Sequence, residues 1–174
     1  MRNYINIAAL FMVTLMVSSC EKIETSELVF KNSFEEMGRW AGKFPTVTAG
    51  KGHSGKYYSK LDSVNVYSVT FQDSLSGISE KPLKKVNISA WIYFANPTAN
   101  GELIFTIWDK TEKPLFTKSM YIQTQVTKVN EWTQVTLSVN MPENMSPSDI
   151  IKVYALQHGK EDILVDDFEV AFEN

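Results

Sequence analysis

Apolar and polar residues alternate one by one through most of this chain. Val86, Ile88, Ala90, Ile92 and Phe94 are the clearest run: a strand puts all of them on one face and leaves Ser89, Trp91 and Tyr93 on the other. The same period, with β-branched and aromatic residues and breaks at Gly, Pro, Asn and Asp, predicts strands over 28–34, 56–62, 64–72, 86–94, 102–108, 115–126, 132–140, 150–157 and 163–172. Asn96-Pro97, Asn100-Gly101, Met141-Pro142 and His158-Gly159 supply turns between them. No stretch carries a ten-residue helical period, and 146–149 offers a single turn at most. About nine strands without a helix predict an all-β sandwich.

The last predicted strand has two carboxylates set into it. Period two groups Leu164, Asp166, Phe168, Val170 and Phe172 on one face, so Asp166 is expected to point into the core and Asp167 away from it. An unpaired carboxylate there is costly. Two solutions stay open, a strand-end Asp held by loop N–H groups and a metal ligand.

Composition changes the picture at the N-terminus. Arg2 precedes a mostly apolar run over 5–17, too short to span a bilayer, and Val17-Ser18-Ser19-Cys20 follows. That ending resembles a bacterial lipobox, with Ser19 in place of the commoner Gly or Ala. The reading is a lipoprotein signal peptide over 1–19, a lipidated Cys20 with a short tether to 26, and a folded domain over 27–174. Cys20 is the chain's one cysteine, so no disulfide framework competes for it. Of 17 basic and 20 acidic residues only Arg2 lies before Cys20, which gives the rest 16 − 20 = −4. No basic stripe is present to neutralise phosphates, and no nucleic-acid partner is expected.

Catalytic patterns are poor. His53 and His158 have no second His or Cys at zinc-ligand spacing. No Gly-x-Ser-x-Gly elbow marks a nucleophile, and no strand carries two acids alternating on one face to straddle a glycosidic bond. The expectation is a protein that is not an enzyme.

Aromatics make up 12% of the chain and fall on the faces opposite the aliphatic ones. Tyr93, Trp108, Tyr121 and Gln123, with Trp91, Trp132, Gln134 and Tyr154, mix flat rings with amides, which suits a sugar's C–H face and its hydroxyls if those faces belong to one sheet. Trp40, in the segment after Met37-Gly38-Arg39, is a separate candidate in a loop at one end of the sandwich.

Five landmarks in order carry a family likeness: Asn32-Ser33-Phe34-Glu35, the run from Ala49 to Tyr57 with three glycines, Ile88-Ser89-Ala90-Trp91-Ile92, Glu131-Trp132-Thr133-Gln134-Val135, and Val165-Asp166-Asp167-Phe168. Together they resemble the galactose-binding-domain-like jelly-roll, nearest to the carbohydrate-binding modules of bacterial cellulases and xylanases. The resemblance implies a structural calcium held by Glu35, Asp166 and carbonyls of the 49–55 loop, and core places for Trp91 and Trp132. It also implies a glycan or polysaccharide ligand. Asp62-Ser63-Val64 and Asp73-Ser74-Leu75 resemble acidic-Ser/Thr-aliphatic O-glycosylation sites of some gut bacteria. The combined expectation is non-catalytic carbohydrate binding by a lipid-anchored protein of the bacterial cell envelope, at the outer membrane. The alternative is a structural or protein-interaction subunit of an envelope complex.

Overall fold

The computed structural model describes residues 27–36, 40–41 and 46–174. The expected signal segment and Cys20 lie outside the described residues. Among the described residues eleven strands form two sheets, and every ladder is antiparallel.

The first sheet holds β1 (Glu27–Asn32), β3 (Val47–Ala49), β4 (Tyr57–Leu61), β6 (Lys85–Phe94), β9 (Trp132–Asn140) and β11 (Ile163–Glu173). Its order is β3-β4-β11-β6-β9, and β1 also pairs with β11. β11 is therefore flanked on one side by β6 over most of its length, and on the other by β4 at Ile163 to Val165 and β1 from Phe168 to Glu173. The second sheet holds β2 (Trp40–Ala41), β5 (Thr70–Ser74), β7 (Gly101–Trp108), β8 (Pro114–Tyr121) and β10 (Ile150–Gln157), in the order β2-β5-β10-β7-β8.

The alternation of β6 is realised as read: Val86, Ile88, Ala90, Ile92 and Phe94 are buried and the residues between them are half-exposed. Leu103, Phe105 and Ile107 of β7 and Ile151, Val153 and Ala155 of β10 meet them from the second sheet, all fully buried. Each large side chain buried this way contributes about 1.5–3 kcal/mol over leaving it in water. Phe71 lies at the centre of an aromatic group, 5.1 Å from Phe30, 5.5 Å from Trp40 and 6.0 Å from Phe172 between ring centroids. β9 is an edge strand, and the Gln125 side chain caps it at Thr136 by accepting from the backbone N–H at 2.8 Å and donating to the carbonyl at 2.9 Å.

Several expected elements shift. β2 and β3 span two and three residues, too short to show a period in sequence. The expected strand over 64–72 is regular only from Thr70, while Val64 is exposed and Tyr67 forms a single bridge to Leu156. The expected strand over 115–126 ends at Tyr121 in a 3-10 turn (Ile122–Thr124). Among the described residues the one α-helical turn, α1 (Leu75–Ile78), is not at 146–149: Ser74 caps it by accepting from the Gly77 N–H at 3.0 Å.

Candidate functional site

The clearest departure from period two lies in β11. Asp166 pairs with Trp91 and Glu169 with Ser89, so three steps along β11 match two along β6, and one extra residue is bulged out. Asp167 takes a positive φ of 43°, a conformation Asp tolerates better than most residues. Ile163 and Val165 before the bulge and Phe168, Val170 and Phe172 after it all face the core. The expected grouping of Asp166 with Phe168 is thus corrected. Asp166 is fully buried, but on the outer side of the first sheet, beneath the 50–56 loop, and Asp167 meets the same loop.

That loop is clasped by three acids. The Asp166 Oδ2 accepts the backbone N–H of His53 at 2.7 Å and of Ser54 at 3.1 Å, and its Oδ1 accepts the Asp167 N–H at 2.7 Å. The Asp167 carboxylate takes the Ser54 hydroxyl at 2.7 Å and lies 2.6 Å from the His53 Nδ1. The Glu35 Oε1 accepts the N–H groups of Lys56 at 2.6 Å and Tyr57 at 2.8 Å. Gly52 is required by this packing, because a Cβ there would lie 2.5 Å from the Asp166 Oδ2 and 2.6 Å from the Ser54 carbonyl oxygen. Burial pushes the Asp166 carboxyl above the usual aspartate value, against the N–H bonds of Asp167, Ser54 and His53 and with the Asp167 charge adding to it. Among the described residues no group of three or more His, Cys, Asp or Glu is placed to hold a metal. Asp166, Glu35 and the loop carbonyls are all hard oxygen donors, the set calcium takes, and the carboxylates here are satisfied by N–H groups.

Above the clasp the first sheet carries rings on its outer face. His53 stacks on Trp91 with centroids 3.7 Å apart, and Tyr93 lies 5.6 Å from Trp132 with its hydroxyl 3.2 Å from the Asn130 Oδ1. Trp91 and Trp132, expected in the core, are half-buried on this outer face instead. The cause is period two itself: both share a face with Ser89 and Gln134, opposite Ile92 and Val135.

The outer face of the second sheet is a different surface. One row across it reads Tyr67, Leu156, Glu102, Tyr121, fixed by the Tyr67 bridge and the ladders of β10, β7 and β8. Tyr67 and Tyr121 are each 55% exposed and stand at its two ends. The next rows hold Tyr154, Ile104 and Ser119, then Gln72, Lys152, Thr106 and Thr117. Ile104 and Thr106 are buried although they face outward, so the rim side chains enclose a floor. Tyr67 packs edge-on against Tyr154 at 5.6 Å, Glu102 lies 3.0 Å from the His158 Nε2, and the Lys152 ammonium rests 4.7 Å from the centre of the Trp108 ring. Burial holds the Tyr154 phenol above its ordinary value, helped by Tyr67 and Glu102, so it remains a neutral donor.

The expected sugar residues therefore divide. Trp108 and Tyr121 lie on the outer face of the second sheet, and Gln123 sits beside it in the 3-10 turn, its Oε1 accepting the Gly101 N–H at 3.2 Å. Tyr93 lies on the opposite side of the molecule, because β6 belongs to the first sheet. Trp40 is corrected outright: it is buried in the core against Phe71 and Phe168, where its large apolar ring excludes water. Tyr67, Glu102 and Lys152 were not singled out in the sequence. Lys152 shares the period-two face of Tyr154 and could have been found with it, whereas Tyr67 lies in an irregular segment with no period.

The two-sheet antiparallel sandwich, with a glycine-bearing loop fastened to its last strand, is a fold shared with carbohydrate-binding modules of known structure. The chain is similar in structure to the CBM22-1 xylan-binding domain of Paenibacillus barcinonensis Xyn10C, with 18% identity, 85% of this chain and 95% of that chain covered, and a TM-score of 0.51. It is also similar to the C-terminal family 22 carbohydrate-binding module of Clostridium thermocellum Xyn10B, at 12% identity, 82% and 91% coverage and a TM-score of 0.53. A family 16 carbohydrate-binding module matches at 14% identity, 77% and 91% coverage and a TM-score of 0.51. No protein-family model matches the sequence, and no curated protein matches it.

Proposed function

We propose that this protein is a non-catalytic glycan-binding module that takes a sugar chain across the outer face of its second sheet. The observation that carries this reading is the row from Tyr67 to Tyr121, two exposed rings flanking the Glu102 carboxylate over an enclosed floor. Such rings offer flat faces to pyranose C–H groups, and Glu102, Gln72 and Tyr154 offer hydroxyl partners. The xylan-binding module from Paenibacillus barcinonensis, of like fold, supports a polysaccharide as the ligand class. A glycan array on residues 20–174, followed by retention on the polysaccharides that score, is the test. Tyr121→Ala and Tyr67→Ala should abolish retention and leave the melting temperature nearly unchanged, since solvent-facing rings leave no core cavity. Retention unchanged in both variants would remove the second sheet as the site.

A second reading, an interaction subunit of an envelope complex, draws on a hollow of about 780 Å³ beside α1, lined in part by Leu75, Leu83, Met141 and Met145. An empty array together with capture of an envelope protein would favour it.

We further propose, on the lipobox-like Val17-Ser18-Ser19-Cys20, that cleavage before Cys20 and lipid on its thiol anchor the module at the bacterial envelope, in the outer membrane. Cys20→Ala should move the protein from the detergent phase to the aqueous phase while leaving its fold intact. Calcium is proposed as a structural tie between Glu35, Asp166 and the loop carbonyls, joining the start of the domain to its last strand. It would raise the melting temperature by binding the folded state alone. Identical melting curves in calcium and in chelator would leave the N–H groups as the whole of the clasp.

A further inference from the structure

We propose that the outer face of the second sheet selects glycans that carry a carboxylate, with Lys152 as the residue that reads it. The inference rests on the glycan-binding reading above and names the substrate class of that same face. Lys152 stands in the middle of the sheet, with Gln72 on one side and Thr106 on the other. Among the described residues Lys152, like most of the lysines, shares no ion pair with an acid. Its ammonium lies instead over the Trp108 ring, 4.7 Å from the centroid. The nearest acid along these rows, Glu102, is opposite Leu156, four residues further along β10, which is about 13 Å at the rise of a strand. The face is thus cationic at one end and anionic at the other.

Trp108 supplies the second observation. Its indole Nε1 is shielded from solvent and has no hydrogen-bond partner. An indole N–H seldom stays unpaired when buried, and a partner brought by a ligand would complete it. The Trp108 ring is half-buried, and a carboxylate is a stronger partner for the Lys152 ammonium than the face of that ring. A uronic acid entering the face would draw the ammonium off the ring. The uncovered ring would then receive the sugar's C–H face, and the indole N–H a ring or hydroxyl oxygen. A neutral sugar draws nothing away and meets a covered Trp108. The tyrosines of the neighbouring rows offer flat faces that a pyranose bearing the carboxylate can use and a flexible acidic chain cannot.

The experiment compares glucuronoxylan with the same polymer after its carboxyl groups are reduced to alcohols, by calorimetry with the lipid-free protein at low and high salt. The acidic form should bind about tenfold tighter at low salt, and the difference should shrink as screening increases. Lys152→Met should erase the preference while retaining binding to the reduced polymer, and Lys152→Arg should keep it. Equal binding of both polymers by the wild type, or an acid preference that survives in Lys152→Met, overturns the inference and leaves the glycan-binding reading standing. Polyglutamate bound as tightly as glucuronoxylan overturns it too, since charge alone would then suffice. Binding of neither polymer, nor of any glycan on the array, removes the glycan-binding reading and this inference with it.

Discussion

Asp166 shows what one residue contributes. A carboxylate between Val165 and Phe168 was legible in the sequence as an anomaly that needed partners, and the structure supplies three N–H groups. What period two could not deliver was the side of the sheet, because Leu164 lets the alternation run unbroken through Asp166 to Phe168, and the bulge that shifts its phase is set by pairing with β6. Asp166→Asn keeps one acceptor oxygen but turns an NH2 toward N–H donors. It should cost about 1–3 kcal/mol, measured by denaturant unfolding in chelator so that no metal contributes. A loss below the error of that measurement would mean the loop N–H groups find water as readily as they find Asp166. Trp40 was misplaced for a related reason: its strand is two residues long, and a short apolar segment between turns reads as a loop.

At the scale of the element, β11 behaves as two regular strands joined by one surplus residue. Removing Asp167 would leave Ile163, Val165, Phe168, Val170 and Phe172 in strict alternation and restore an even register with β6. A deletion of Asp167 should therefore fold with the same core. It should lose the bonds to the His53 ring and the Ser54 hydroxyl, and the amides of the 50–56 loop should exchange faster while those of β6 do not. Loss of cooperative unfolding in this variant would show that the core depends on the bulge. The same reasoning explains what was legible for β6 and β7: alternation told which side chains point outward. It carried no information on sheet membership, which is decided by ladders between distant residues, so Tyr93 and Tyr121 read as one platform and stand on opposite outer faces.

At the scale of the molecule, the two outer faces have different work. The first sheet is fastened by its acids to the 50–56 loop, and the second presents tyrosines, a lysine and an acid. Fold class and the polar character of the outward faces followed from sequence because short-range period and turn chemistry fix both. Truncation before Ile163 removes the strand shared by β1, β4 and β6, and should abolish the thermal transition altogether. A truncated chain that still melts cooperatively would show that the second sheet and β6 with β9 suffice as a folding unit.

The position of β11 has a consequence in time. Ribosomes deliver a chain from its N-terminus, and here the strand that emerges after the other described strands is the one the first sheet is built around. Glu27 waits for Glu173, and Leu61 for Ile163. Until then β1 and β4 have unsatisfied backbone edges, and the loop-closure entropy of the longest pairing must be met in a single late step. The first sheet therefore stays open until β11 has emerged, and its nascent strands are exposed to capture by chaperones before closure.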